Sequence, residues 1–514
     1  MSTLWQNALV IAMDEEHRSM PFRADLLVDG TDIVSLTPPT ESGSRGAEPG
    51  ASGTTVIDAT NLLITPGLVN AHTHSWEILM RGTSDPLPLE IWTLLSYPPV
   101  GVDPVPERLI YLRTIVAAVE SLLGGVTTLL DDTAELPVQT PETIARVFAA
   151  YDDSGIRVTC TGTAIDVPIV DRLAFADEVL PARVLALSRA AMPPSAEVQA
   201  EYFAFSAAAR QRAQGYPRIR YSVSPSAPQR VTDDLMRRAA AEAREHGEVL
   251  HTHLLETRLQ QELARTRYDG RTIVEHLDEL GVLGGNLTAA HAIWLTESDM
   301  ELLAAGDSTV VHNPLSNLKL GSGVFSWRAL HDAGVRVALG TDGASSNDSM
   351  RMLEVIKSAA TLHTLTDPDY RNWPTVNEVL HAATVAGARA AGWGAETGSL
   401  SPGMRADLVV YDLTRTTAFT PLNDAARQLV FAEDGRSIHQ VWVDGRLVVE
   451  DGRCLLIDAD ALLAEFRTAA AGYLADAVPR WAELQHSLEP AVREAYLRAT
   501  HPHAAHHLPE GFPA

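Results

Sequence analysis

Lysine and cysteine are the residue types in shortest supply in this 514-residue chain. Its two cysteines, Cys160 and Cys454, are too few for a disulfide framework, so we expect a protein of a reducing compartment, the cytoplasm. Its two lysines are Lys319 and Lys357, and arginine supplies the rest of the 40 basic residues. Any chemistry that needs a lysine before residue 319 is therefore excluded.

Positive charge and long apolar runs are scarce as well. The 66 acidic residues outnumber the 40 basic ones, which gives a formal net charge of −26. A surface of that sign repels phosphate backbones, so we expect no nucleic-acid partner.

The longest apolar runs fall well short of the ~20 residues that a membrane span needs. The N-terminal residues lack the basic region of a secretory signal. We therefore expect no membrane partner either.

Strand-like segments occur at both ends of the chain. Within residues 1–65 and again within 398–455, short stretches alternate apolar and polar residues and contain Asp-Gly turns. The simplest interpretation is one small β-sandwich domain assembled from both ends. An alanine-rich helical extension and tail follow over 456–514.

The region between the two ends, 66–397, alternates buried strands with amphipathic helices. One helix is well delimited, because Thr232 is a favourable N-cap and Gly247 a favourable stop. Repeated strand–helix units predict an α/β fold, a (β/α)8 TIM-like barrel. The segment 166–215 adds extra helices near the barrel mouth. The eight strand candidates are GLVNAHTH, GVTTLLDD, IRVTCTGTAI, IRYSVSPSAP, EVLHTHLLE, NLTAAHAIW, STVVHNPLS and VRVALGTDG.

Histidine and aspartate stand at the ends of four of these strands. His72 and His74 end the first, and a two-residue period directs both side chains to one side. His253, His291 and Asp342 end the fifth, sixth and eighth. Each residue alone could be a hydrogen-bonded core histidine or a helix-capping aspartate. Because the carboxyl ends of barrel strands share one face, the set predicts a site for zinc or ferrous iron.

These motifs make the sequence similar to the amidohydrolase superfamily. The resemblance is to the branch that contains cytosine-deaminase-like, adenosine-derivative and triazine (chlorohydrolase-type) aminohydrolases. It extends over nearly the whole chain to about residue 455 and is much more specific for the superfamily than for a substrate. The matching motifs are PGLVNAHTH (66–74), HLLET (253–257), His291, HNPLSNLKL (312–320) and GTDGASSND (340–348).

The resemblance implies roles for individual residues. Glu256 would be the proton shuttle, and His291 would contact water or the developing oxyanion. The family places a metal ligand three residues before this glutamate, and that spacing selects His253. His251 would therefore support the site from behind or pack against it. The implied metal ligands are His72, His74, His253 and Asp342.

The number of metal ions follows from the lysine count. Binuclear members of the superfamily usually bridge their metals with a carbamylated lysine at the end of the fourth strand, and IRYSVSPSAP has none. We therefore expect one divalent ion, zinc, with ferrous iron as the alternative. A second ion bridged by a carboxylate is not excluded by the sequence. A cation held there would lower the pKa of bound water to about 7.

Five residues are candidates for substrate binding. Glu90 and Trp92 resemble a Glu-x-Trp element that holds ribose hydroxyls and stacks on the base, although they could equally begin an ordinary helix with a core tryptophan. Ser226 stands where adenosine-derivative deaminases usually carry a histidine, which weakens a nucleoside assignment. Asn317, which could also belong to a structural turn, and Ser346 are further candidates.

These features predict a metal-dependent aminohydrolase. Its partner would be a small heterocyclic substrate of the purine, pyrimidine, pterin or triazine type. The alternative is a hydrolase of another C–N or C–Cl bond, such as an amide, lactam or chlorotriazine, on the same site. A non-catalytic scaffold is disfavoured because no expected ligand is missing. Similar proteins are commonly homo-oligomers, so self-assembly is a further expectation.

Overall fold

The computed structural model describes residues 2–39, 53–96, 104–135 and 139–500, without the side chains of 476 and 479–487. The first five strands are β1 (Ser2–Val10), β2 (Phe22–Asp29), β3 (Asp32–Thr37), β4 (Thr54–Asp58) and β5 (Leu62–Pro66). The next nine are β6 (Leu68–His74), β7 (Val126–Asp131), β8 (Arg157–Ala164), β9 (Ile219–Pro225), β10 (Leu250–Leu254), β11 (Leu287–His291), β12 (Thr309–His312), β13 (Arg336–Leu339) and β14 (Asp342–Gly343). The last four are β15 (Leu408–Asp412), β16 (Ile438–Val443), β17 (Arg446–Glu450) and β18 (Arg453–Cys454).

Strands β6 to β14 form the predicted barrel. Neighbouring strands pair in parallel from β6 through β13, and β14 pairs in parallel with β6. Only two residues separate β13 from β14, so together they act as the eighth strand. The Asn70 side chain of β6 donates to Thr341 Oγ1 over 2.7 Å and accepts from the Thr341 amide over 3.0 Å, which joins the last strand to the first.

Strands from both chain ends form the second part of the fold, as predicted. They make one continuous nine-strand sheet in the order β18-β17-β16-β15-β5-β1-β2-β3, with β4 beside β1. The sheet surrounds its own apolar core, in which the Trp5 and Trp442 rings meet edge to face at 5.2 Å. The domain boundaries given above remain predictions.

A buried ion pair links the barrel to this sheet. Arg157 on β8 donates to both carboxylate oxygens of Asp407 over 2.8 and 2.9 Å, and both side chains are almost fully buried. The Arg157 guanidinium also lies over the Trp393 ring. Both hydrogen bonds of the guanidinium fork go to one carboxylate, which is the bidentate geometry of strong arginine–carboxylate pairs.

Helices surround the barrel. The predicted helix after β9 is confirmed, because Thr232 caps it through the Leu235 amide and Gly247 ends it in the left-handed conformation. In the part of the chain that the structure describes, no helix is both long and apolar enough to cross a bilayer. The helices are α1 (Leu89–Ser96), α2 (Glu107–Leu123), α3 (Pro141–Ser154), α4 (Ala176–Val179), α5 (Ala182–Ala191), α6 (Ser195–Ala213), α7 (Asp233–His246), α8 (Arg258–Arg267), α9 (Ile273–Glu279), α10 (Glu297–Ala305), α11 (Pro314–Lys319), α12 (Trp327–Asp332), α13 (Met352–Leu362), α14 (Val376–Ala382), α15 (Val385–Ala390), α16 (Ala425–Phe431) and α17 (Ala459–Thr500).

The C-terminal extension is the long helix α17, and residues 501–514 lie outside the described part. Ala470 packs against Leu79, just after the first barrel strand, and Ala495 packs against Leu259 of α8. The helix therefore lies across loops that follow β6 and β10. The segment 166–215 contributes α4, α5 and α6, and α4 also contacts α17.

Candidate active site

Three histidine nitrogens and one carboxylate oxygen converge at the carboxyl ends of the barrel strands. His74 Nε2 lies 3.2 Å from His253 Nε2 and 3.3 Å from Asp342 Oδ1. His72 Nε2 lies 3.3 Å from the same Asp342 oxygen. All four side chains are buried. The structure thus brings together the four ligands that the sequence resemblance implies.

The spacing of these atoms suits one metal ion. With metal–ligand bonds of about 2.0–2.2 Å, the edges of a tetrahedron are ~3.3–3.6 Å long. The observed separations of 3.2–3.3 Å match that length closely. In addition, Nε2 of His72 is buried without a hydrogen-bond partner among the described residues. Three imidazoles and a carboxylate are ordinary zinc ligands.

Each histidine is oriented through its other ring nitrogen. Nδ1 of His74 lies 2.8 Å from the Asp132 carbonyl oxygen, and Nδ1 of His253 lies 2.7 Å from the Ser226 carbonyl oxygen. Nδ1 of His72 lies 2.9 Å from Nε2 of His251. A proton on each Nδ1 leaves Nε2 free to bind a metal, and such partners normally fix the ring of a metal-bound histidine. His251 thus supports His72 from behind.

Asp342 is held in an unusual backbone conformation. Its φ is +61°, in the left-handed region that aspartate tolerates better than most residues. Oδ1 accepts from the Gly343 amide over 2.8 Å, and Oδ2 accepts from the Ser316 hydroxyl over 2.6 Å. Both oxygens are therefore fixed in place, with Oδ1 toward the histidines. Positive φ at His291, +74°, shows that a second strand end is strained as well.

The electrostatics of the cluster favour a bound cation. Burial lowers the pKa of His72 and of His253 well below the ordinary value, so both imidazoles are neutral and able to act as ligands. Burial acts the same way on His74, but the carboxylates of Glu77 and Asp342 outweigh it and raise its pKa to about 9. Carboxylates that hold a proton on an imidazole would equally attract a divalent cation.

Glu256 and His291 face this cluster from β10 and β11. Glu256 Oε2 lies 3.7 Å from His291 Nε2, which lies 3.9 Å from Asp342 Oδ2. Burial raises the pKa of Glu256 to about 7, although the nearby His291 opposes the shift. A carboxyl group with that pKa can both donate and accept a proton near neutrality. Glu256 and His291 therefore lie beside the histidine–aspartate cluster, with Asp342 shared between the two groups.

Asn317 and Ser346, predicted to bind substrate, have protein partners in the structure. Asn317 Oδ1 lies 3.0 Å from Nδ1 of His291, so it orients the imidazole. Its Nδ2 is buried without a hydrogen bond among the described residues. The Ser346 hydroxyl donates to the Gly343 carbonyl over 3.1 Å. The substrate contacts of both residues remain predictions.

Glu90 and Trp92 lie on α1, close to the loop after β10. The Thr257 hydroxyl, next to Glu256 in the chain, donates to Glu90 Oε1 over 2.5 Å. Glu90 Oε2 is buried and has no hydrogen-bond partner within the described residues. Trp92 is 3% exposed and packs against Leu89 and Leu320, as a core tryptophan would. Its role as a stacking platform remains a prediction.

A cavity opens from the histidine cluster toward β8 and α6. His74, His253 and Ser226 line its inner end, whereas Trp92 and Ser346 do not line it. Arg230, four residues beyond Ser226, also lines the cavity and donates to the Ser226 hydroxyl over 3.3 Å. Sequence reasoning missed Arg230. Its position one short 3-10 turn after a strand end was the signal that could have revealed it.

Two other features of the site carry no clear sequence signal. Burial, and then the nearby Glu90 carboxylate, raise the pKa of Tyr496, so the end of α17 lies close to the site.

Lys319, one of the two lysines, pairs with Asp348 and donates to the Ser345 carbonyl over 2.9 Å. It therefore supports a loop of the site and is not among its ligands.

Comparison with known proteins shows the family of the chain. Residues 63–448 match the model of the amidohydrolase family. The chain is 31% identical over 471 residues to a 5′-deoxyadenosine deaminase of Methanosarcina mazei, with 90% of this chain and 96% of that protein covered. It is 33% identical over 446 residues to a 5-methylthioadenosine/S-adenosylhomocysteine deaminase of Pelotomaculum thermopropionicum, with 87% and 93% covered.

Solved structures show the same fold. An adenosine deaminase from Xanthomonas campestris with bound zinc superposes with a TM-score of 0.76 at 27% identity, over 94% of this chain and 98% of that one. An atrazine chlorohydrolase from Arthrobacter aurescens complexed with zinc superposes with a TM-score of 0.74 at 22% identity, over 91% and 100%. The barrel, the sheet built from both chain ends and the matched family model lead to one conclusion. This chain belongs to the amidohydrolase family.

Proposed function

We propose that this protein is a metal-dependent deaminase that releases ammonia from the 6-amino group of an adenosine derivative. The observation that carries the proposal is the placement of Glu256, with a pKa of about 7, beside a cluster of three histidines and Asp342. The relatives named above deaminate 5′-deoxyadenosine and related nucleosides, which supports the choice of ring.

The metal would be held by four side chains, and zinc is the ion we propose. Bound there, it would act as a Lewis acid and lower the pKa of a water molecule to about 7. The proposal of a single ion rests on the strand β9, which offers no lysine to bridge a second one. The proposed ligands are His72, His74, His253 and Asp342.

The reaction needs several proton transfers, for which we assign Asp342 and Glu256, with His291 beside the reacting oxygen. Asp342 takes a proton from the attacking water, while Nε2 of His291 faces the oxygen that adds to the ring carbon. Glu256 gives its proton to the adjacent ring nitrogen, which makes that carbon electrophilic. Glu256, ionised by that step, then takes the proton of the added hydroxyl group and passes it to the amine, so the C–N bond breaks and ammonia leaves. The proton held by Asp342 returns to Glu256 and restores the site. The products are ammonia and the 6-oxo purine.

Hydrolysis of a C–Cl bond or of an amide on the same site is the alternative. Chloride leaves as an anion and needs no proton, whereas an amine leaves only after protonation. The buried, protonatable Glu256 is therefore better explained by deamination. Assaying the zinc-loaded protein for ammonia and for chloride against adenosine derivatives and chlorotriazines tests the proposal. Chloride release without ammonia would overturn it.

The proposal also includes a cytoplasmic location, the absence of a nucleic-acid partner and self-assembly. Both cysteines are unpaired in the structure, which supports a reducing compartment. The net charge of −26 supports the exclusion of nucleic acid. Sedimentation of the purified protein measures the oligomeric state, and a purely monomeric species would contradict self-assembly.

A further inference from the structure

Glu77 is a buried carboxylate of the active-site face that is not among the proposed metal ligands. It lies in the short 3-10 helix Ser75–Met80, which follows β6, and it is 1% exposed. Its Oε2 accepts three hydrogen bonds from one loop, over 2.7 Å from the Ser345 hydroxyl, 3.1 Å from the Ser345 amide and 3.3 Å from the Ser346 amide. A buried carboxylate costs free energy unless donors compensate it, and these three donors all follow Asp342 in the chain.

Gly343 shows how closely this carboxylate approaches the loop. The glycine directly follows Asp342 and pairs with His74 of β6. A β-carbon on Gly343 would lie only 1.8 Å from Glu77 Oε2, so the two positions leave no room for a larger residue. The Gly343 amide in turn donates to Asp342 Oδ1 over 2.8 Å. Glu77 therefore contacts the residue that orients the Asp342 carboxylate.

Two further contacts hold the same loop. Lys319 donates to the Ser345 carbonyl over 2.9 Å, and the Gly82 amide donates to Asp348 Oδ1 over 2.7 Å. Because Glu77 accepts from the amide and the hydroxyl of Ser345, all the polar groups of that serine are hydrogen-bonded. The loop is thus fixed between the segment after β6 and the end of α11.

We propose that Glu77 is a positioning residue, which holds the loop after β14 so that the Asp342 carboxylate stays directed at the histidine cluster. Asp342 has a positive φ of +61°, and such a conformation persists only where surrounding contacts hold it. Ser346, a candidate substrate contact, belongs to the same loop and is placed by the same carboxylate. This inference rests on the proposed function, because it names a residue that supports the proposed site.

The test compares Glu77→Met with Glu77→Gln. Methionine has nearly the same size but accepts no such hydrogen bonds, whereas a glutamine oxygen can accept all three. Loss of a group that orients a metal ligand typically costs 10- to 100-fold in metal affinity or activity. In Glu77→Met we therefore expect zinc affinity, from a competitive chelator titration, and kcat on 5′-deoxyadenosine at saturating zinc each to fall about 10- to 100-fold. In Glu77→Gln both should stay within about fivefold of wild type, because the acceptor is kept.

Glu433 is the matched control. It is also a buried carboxylate, and it accepts from the amides of Gly435 and Ser437 over 2.7 and 3.0 Å, in the loop before β16. Glu433→Met should lower the free energy of unfolding, as Glu77→Met also should, but it should change neither zinc affinity nor kcat. A purely structural role for Glu77 predicts that its methionine variant behaves in the same way.

Gly343→Ala gives an independent test. The glycine does not have a positive φ, so alanine suits its backbone, but the added methyl group would displace Glu77 Oε2. We expect a loss of kcat and of zinc affinity similar to that of Glu77→Met. In a Glu77→Ala background, where the methyl group has room, adding Gly343→Ala should cost less than about threefold more, because residues in contact are not additive.

Three results would overturn the inference. They are unchanged zinc affinity and kcat in the less stable Glu77→Met protein, equal losses in Glu77→Met and Glu77→Gln, and fully additive losses for Glu77→Ala and Gly343→Ala. If Glu77→Met fails to fold, Gly343→Ala is measured in its place, and normal zinc affinity there would contradict the proposal. Wild-type protein inactive on every adenosine derivative would refute the proposed function instead, and the zinc titration would still decide the role of Glu77.

Discussion

Replacing Glu256 with glutamine exchanges a carboxyl group that can transfer a proton for an amide of nearly the same shape that cannot. The side chain is 2% exposed, it accepts a long hydrogen bond of 3.5 Å from the Ser322 hydroxyl, and it is not among the four proposed ligands. Glutamine has the same shape, so the fold and the metal content should be kept. What is lost is a carboxyl group whose pKa of about 7 suits proton transfer.

The size of the effect follows from that role. A positioned general acid contributes roughly 10²- to 10⁴-fold to the rate. Glu256 serves both the ring nitrogen and the leaving amine, so we expect kcat of Glu256→Gln to fall about 10³-fold or more. Ammonia release measured on zinc-matched samples gives the number. Glu245→Gln, at an exposed position of α7, is the control and should retain full activity.

The pH dependence adds a second readout. Because the pKa of Glu256 is raised to about 7, the carboxyl is protonated below that pH and ionised above it. The protonated form is the active one, so wild-type kcat/KM should decline as the pH rises through about 7. The glutamine variant should lack this decline. Near-wild-type turnover in Glu256→Gln, or an unchanged pH profile, would refute the reasoning.

Three other changes test the surroundings of the site and the fold. His251→Phe removes the partner of His72 Nδ1 and should weaken zinc binding roughly 10- to 100-fold in a competitive chelator titration, and unchanged affinity would contradict its supporting role. Asn317→Ala removes one of the two side chains that contact His291 Nδ1 and should lower kcat more than it raises KM; a pure KM effect would point to substrate contact instead. Arg157→Met leaves the Asp407 carboxylate buried without its counter-ion and should cost about 3–5 kcal/mol in denaturant unfolding, part of it recovered in Arg157→Met/Asp407→Leu.

The barrel and the strand-end cluster could be predicted because their signals are local, whereas the choice of ligands within the cluster came from the family resemblance. A buried parallel strand is a short apolar run, and a histidine at its carboxyl end is visible in the letters alone. Asp342 could be identified from its position directly after the last strand. In each case the residue lies at the carboxyl end of a barrel strand, and all these ends share one face of the barrel. Residues far apart in the sequence are therefore neighbours in space.

The substrate side could not be predicted in the same way. Trp92 and Ser346 are the right residue types near the right motifs, yet Trp92 packs in the core and the Ser346 hydroxyl bonds to the backbone. Arg230 was missed because no motif marks it, and its place in the lining of the cavity is a property of three-dimensional packing. The approach of Tyr496 to Glu90 depends on the course of α17, which no motif records.

Measuring ammonia release from 5′-deoxyadenosine while zinc is removed and restored tests the central claim most directly. We predict one ammonia for each 6-oxo purine formed, loss of activity when a chelator removes the metal, and recovery at about one zinc per chain. Fully zinc-loaded protein that converts no adenosine derivative, or activity that survives complete loss of the metal, would contradict the assignment.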